Sequence, residues 1–166
     1  MTLSQALTAG TITVGLLVLA PQTVPTESPE RSRLPWVTDD RLRNPEPASW
    51  LMYRRTYDGW GYSPLRQIHS RNVADLTPTW IFSTGVYGEH HQAPPIVNGD
   101  TMFVTTASQV FALDATDGSL RWRYVRPLPP DLSKPHPTNR GVALYEDKVY
   151  VGTLDAHVVA LNATSG

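Results

Sequence analysis

From residue 101 onward the chain alternates apolar and polar positions with a period of about two, the spacing of a strand buried on one face. "TMFVTT" (101–106), "QVFAL" (109–113), "KVYVGT" (148–153) and "HVVAL" (157–161) are rich in β-branched and aromatic residues. "NGD" and "EDK" supply turns before the first and third of these, while "DATDG" and "NATSG" end the second and fourth. Between Gln22 and Pro47 there is little periodicity, and prolines gather there and again at 127–137. The pattern predicts an all-β chain whose irregular stretches lie at the front and in that second proline-rich loop.

The strands repeat. Asp100, Val104 and Thr106 match Asp147, Val151 and Thr153; with one residue inserted, Ala112, Leu113 and Gly118 match Ala160, Leu161 and Gly166. A period in the high forties with this alternation is that of a blade-type β repeat. The first copy continues through "SLRWRY", with Trp122 four residues after Gly118. In Ala-x-Asp-x-x-x-Gly-x-x-x-Trp, Asp114 can accept from the turn's amides, Gly118 can adopt positive φ, and small Ala112 leaves room for an indole. The expected architecture is antiparallel four-stranded blades from about residue 76, with Trp80 and Trp122 buried against neighbouring sheets. Propellers have about 4–8 blades and roughly two are visible here, so the chain reads as the front end of a longer protein.

Composition narrows the functions. Of 166 residues 17% are charged and the formal net charge is −1, which does not suggest a nucleic-acid or anionic-membrane surface. There is no cysteine, so disulfides, thiolate metal sites and a cysteine nucleophile are excluded. "TITVGLLVLA" (11–20) has the length of a signal-peptide apolar core and is short for a membrane span, though no Lys or Arg precedes it. Residues 1–21 are therefore a candidate signal peptide that implies export, with membrane association only through this segment. Residues 22–49 are a Pro-rich linker or arm, and 50–166 form the propeller part.

Residues 50–166 resemble the pyrroloquinoline-quinone (PQQ) dependent alcohol dehydrogenases, eight-bladed propellers of the periplasm. Tyr62 to Leu65 (Tyr-Ser-Pro-Leu), Asn72 to Leu76 (Asn-Val-x-x-Leu) and the Trp80 strand follow in the family's order, and "NRGVALYEDKVYVGTLDAHVVALNATSG" is close to its second full repeat. The resemblance implies an enzyme oxidising an alcohol, with PQQ as cofactor and a calcium or lanthanide ion whose ligands are not in this chain. It also implies a periplasmic electron acceptor such as a cytochrome c, and an inactive fragment when these residues stand alone. The alternative is a non-enzymatic propeller with the same repeat, acting as a binding or scaffold module.

Four residues are cofactor-binding candidates by this resemblance. Arg140 of "TNRG" matches an arginine that contacts the quinone oxygens; its other reading is a rim ion pair. The family's adjacent cysteines, which lie against one face of PQQ, are replaced by Lys134 and Pro135, which leaves Pro135 or His136 as platform. Aligned through Pro94 and the Asn98-Gly99 turn, the family's PQQ-contacting glutamate becomes His91, with Glu89 two residues earlier on the same face of an extended chain. "GEHH" thus reads as cofactor edge, as polar rim, or as a metal site that lacks a second ligand pair. Asp155 reads as a turn residue and not as a general base.

Overall fold

The computed structural model describes residues 34–166; the candidate signal peptide and residues 22–33 of the Pro-rich segment lie outside the described residues. These form a short helix α1 (Asp39–Arg43), a 3-10 turn (Val73–Asp75) and strands β1 (His90–His91), β2 (Ile96–Asn98), β3 (Thr101–Thr105), β4 (Gln109–Asp114), β5 (Leu120–Val125), β6 (Thr138–Asn139), β7 (Ala143–Tyr145), β8 (Lys148–Gly152) and β9 (Val158–Asn162). Strands β2-β3-β4-β5 make one antiparallel sheet in that order and β7-β8-β9 make a second, while β1 and β6 pair in parallel. The fold is all-β, with consecutive propeller blades, as the repeat predicts.

The alternation in sequence becomes alternation of burial. Thr101, Phe103 and Thr105 of β3 are buried while Met102 and Val104 are half-buried, and Val149 and Val151 are the buried positions of β8. Phe103, Val110, Ala112 and Trp122 from the first sheet share a core with Val149, Val151 and Leu161 from the second. β4 is buried on both faces. Its other face carries Phe111, which meets Phe82 edge-on at 5.5 Å between ring centroids.

Each repeated motif makes the same bonds twice. Gly118 N–H donates to Asp114 O at 2.9 Å, and Gly166 N–H to Asn162 O at 2.8 Å. Ala115 N–H donates to Asp100 O, and Ala163 N–H to Asp147 O, both at 2.8 Å. The indoles follow suit: Trp80 Nε1–H reaches Ala115 O at 3.3 Å and Trp122 Nε1–H reaches Ala163 O at 3.0 Å. The inserted residue lies in the hairpin, which closes between Thr106 and Gln109 in the first copy and between Thr153 and His157 in the second.

One expectation needs correction. Residues 77–87 form no ladder among the described residues, and Trp80 is half-buried where burial was expected. A strand exists only with a hydrogen-bonding partner, and Trp80 is held by Gly118 and Ala115 O through its indole instead. In the Pro-rich segment, "TDDRLR" forms α1. Thr38 Oγ1 accepts from Arg41 N–H at 3.4 Å, and Asp39 and Asp40 occupy the first turn, where carboxylates favour the helix dipole. Val37 just before it pairs with Glu146, and Leu34, Val37 and Leu42 enter the core.

The two blades are also joined by charge. Arg126, directly after β5, holds Asp155 in the β8–β9 hairpin with Nη2···Oδ2 at 2.6 Å. Asp155 also accepts from Thr153 Oγ1 at 2.5 Å, so it is a turn residue as expected, and a joint between sheets as well. The bonds from Arg126 and then Thr153 hold its carboxyl far below the usual carboxylate range. A depressed folded-state value means that this contribution is complete above pH about 4 and is lost as pH falls toward the folded value. Asp155→Asn should therefore lower the urea midpoint at pH 7, with the gap to wild type closing as pH is taken from about 4 downward. A gap that stays constant with pH would show that the ion pair is not its source.

Candidate functional site

The proline-rich approaches to β2 and β7 occupy equivalent places in successive repeats, and the fold lays them side by side. Here β1 and β6 pair in parallel, His90 opposite Thr138 and His91 opposite Asn139. His90 N–H donates to Pro137 O at 3.0 Å. Arg140 follows directly on the residue opposite His91, so two candidates that are far apart in sequence are carried by neighbouring backbone.

Arg140, His91 and Pro135 are exposed, as are His90, Lys134 and His136. The rings of His90 and His136 lie 5.7 Å apart, centroid to centroid, with planes tilted by 47°. Among the described residues Arg140 makes no ion pair. Glu89 is placed differently. Ser108 Oγ–H donates to its Oε1 at 2.7 Å and Ser108 N–H to its Oε2 at 3.3 Å. Burial pushes the Glu89 carboxyl up, but bonds from the Ser108 and Thr106 side chains and the Ser108 and Ala107 amides outweigh it and leave it lowered. Its carboxylate thus caps the β3–β4 hairpin. The edge formed by β1 and β6 is left rich in donors and poor in acceptors.

Asn139 is the residue that the sequence reading passed over. It is 8% exposed; its Nδ2 donates to Gly152 O at 2.8 Å and its Oδ1 accepts from Gly141 N–H at 2.7 Å. One side chain therefore grips the backbone just beyond Arg140 and the end of β8. The signal was present as the asparagine of Asn-Arg-Gly, since an Asn side chain readily bonds the backbone two residues on.

Among the described residues no group of three or more His, Cys, Asp or Glu side chains could hold a metal ion. An open cleft of about 530 Å³ lies between Trp50, Tyr53, Arg54, Gly61, Pro94, Pro95 and Val97, and contains none of the four candidates.

Known proteins resemble this chain in sequence and fold. Residues 50–166 match the PQQ glucose/ethanol/alcohol dehydrogenase β-propeller domain. The quinoprotein ethanol dehydrogenase of Pseudomonas aeruginosa is 44% identical over 109 residues, covering 63% of this chain and 17% of that protein. The lanthanide-dependent methanol dehydrogenase of Methylacidiphilum fumariolicum is 36% identical over 131 residues, covering 73% of this chain and 21% of that protein. The solved quinohemoprotein alcohol dehydrogenase ADHIIG of Pseudomonas putida HK5 superposes with a TM-score of 0.72 at 36% identity, covering 81% of this chain and 20% of that one. The chain thus spans about a fifth of the length of these relatives. The family match extends over the same stretch as the repeated blades and the loops that carry His91 and Arg140, and the chain belongs to the PQQ glucose/ethanol/alcohol dehydrogenase β-propeller family.

Proposed function

We propose that these residues are the opening blades of a PQQ-dependent dehydrogenase that oxidises an alcohol, and that the β1–β6 edge contributes one side of its cofactor site. The observation that carries this reading is Arg140: exposed, without an ion pair among the described residues, and held beside His91 by a buried asparagine. The residues fit the group. A planar anion rich in carbonyl and carboxylate oxygens would meet donors here, and the nearest carboxylate on the same approach, Glu89, is already engaged by Ser108. Arg140 would hold such oxygens through its fixed fork, and His91 would donate from the neighbouring strand. Pro135 or His136 would lie against the ring at the place of the family's cysteines. PQQ, when bound, supplies the two-electron acceptor for the alcohol.

The alcohol, a periplasmic acceptor such as a cytochrome c, and a calcium or lanthanide ion with ligands outside these residues belong to the same proposal, as does export through residues 1–21. The names of the relatives support the alcohol and, in one case, the lanthanide.

Losing a charge-assisted contact costs about 1.5–3 kcal/mol, so Arg140→Ala in the full-length protein should weaken PQQ binding roughly ten- to a hundredfold. Arg140→Lys should restore only part of this, because an ammonium lacks the planar fork. Equilibrium titration with PQQ measures both. Binding at wild-type strength by a folded Arg140→Ala protein would mean that Arg140 is a residue of the propeller rim and not a cofactor contact.

A further inference from the structure

We propose that Asn139 is the positioning residue of the cofactor edge, fixing Arg140 and His91 together; this rests on the reading of Arg140 above. Three elements meet at this one residue. Its backbone pairs with His91 of β1, its Nδ2 donates to Gly152 O at the end of β8, and its Oδ1 accepts from Gly141 N–H. The last bond closes a turn around Arg140, whose own guanidinium has no ion pair among the described residues to hold it. Gly141 follows at φ 113°, a conformation that a side-chain-bearing residue rarely adopts, so the loop leaves Arg140 on a path set by the asparagine and the glycine.

The chemistry singles out asparagine. The position needs one donor and one acceptor on a single short planar group. Aspartate keeps the acceptor for Gly141 N–H and sets a carboxylate oxygen against Gly152 O. Serine can reach Gly141 N–H as a hydroxyl turn but is too short for Gly152 O. Asn139 touches no cofactor in this proposal. It acts through Arg140, which makes a specific statement: its effect on binding should exist only while Arg140 is there to be positioned.

A double-mutant cycle in the full-length protein reads this directly, with PQQ binding followed by equilibrium titration and folding by thermal melting. Asn139→Asp should weaken PQQ binding about five- to tenfold in the wild-type background, and less than about twofold in the Arg140→Ala background. If the aspartate variant does not fold, Asn139→Ser takes its place in the same cycle with the same expectation. Equal losses in both backgrounds would mean a general structural role and would overturn the proposal, as would wild-type affinity in a folded Asn139 variant. An Arg140→Ala protein that binds PQQ normally would overturn the reading of Arg140 as a cofactor contact, whereas an Arg140-dependent site indifferent to Asn139 would overturn only the positioning role.

Discussion

Trp122→Ala should destabilise the folded blades by about 3–5 kcal/mol, the usual range for emptying an aromatic site in a core. Trp122 is 8% exposed and sits on β5 opposite Ala112, whose small side chain leaves the indole its space. Its ring lies 5.9 Å from that of Phe103 on its own sheet. On the far side it covers Gly166, whose missing Cβ would stand 3.1 Å from the indole. Its Nε1–H satisfies Ala163 O at 3.0 Å, a carbonyl of the second blade. Truncation therefore removes apolar contact on both blades and leaves an acceptor without its donor. Trp122→Phe should recover most of the packing and lack the hydrogen bond, for a loss of about 1–2 kcal/mol. Urea denaturation followed by far-UV circular dichroism separates the two. A loss below about 1 kcal/mol for Trp122→Ala would mean that the blades do not depend on this joint.

Trp122 also shows what the sequence could and could not convey. The turn Ala112-x-Asp114-x-x-x-Gly118-x-x-x-Trp122 is local, and every part of it has a mechanical reason that survives in the structure. Asp114 Oδ1 accepts from Thr116 N–H at 2.8 Å, and Gly118 stands at φ 74°. The five long strands were legible for the same reason, since pleat and turn chemistry act over a few residues. What the indole touches was not legible beyond "a neighbouring sheet". The partner is the equivalent glycine one repeat later, and only the packing of one blade on the next brings it there. The stretch around Trp80 misled in the opposite way. It has the composition of a strand and packs through Trp80 and Phe82, yet it has no ladder partner among the described residues.

The candidate site divides along the same line. Arg140 and His91 were found by motif, each alone. Their adjacency comes from a two-residue parallel pairing across about one repeat, a contact with no periodicity to announce it. The Glu89 side chain turns to Ser108, nineteen residues on, a contact that only the fold creates. Asn139 stands in the same motif as Arg140 and carries no charge to single it out. Its burial is a tertiary fact.

Gly118→Ala is expected to cost about 2–5 kcal/mol, the sum of a backbone and an overpacking cost. At φ 74° any side-chain-bearing residue is strained, by about 1–2 kcal/mol. A Cβ at this position would also stand 2.5 Å from Cε3 and 2.7 Å from Cδ2 of Trp80, distances at which something must move. The indole cannot simply retreat, because its Nε1–H is tied to Ala115 O in the same turn. Overpacking of this kind adds about 1–3 kcal/mol. Gly85 is the internal control. It has φ 64°, and a Cβ there meets nothing within 4 Å, so Gly85→Ala should show the backbone cost by itself. The difference between the two variants, read from urea midpoints in the same background, then measures how tightly Trp80 is pressed onto the turn. Equal losses at Gly118 and Gly85 would show that the indole is not seated on Gly118. Without that seat, residues 77–87 would lose their hold on the first blade at its tryptophan.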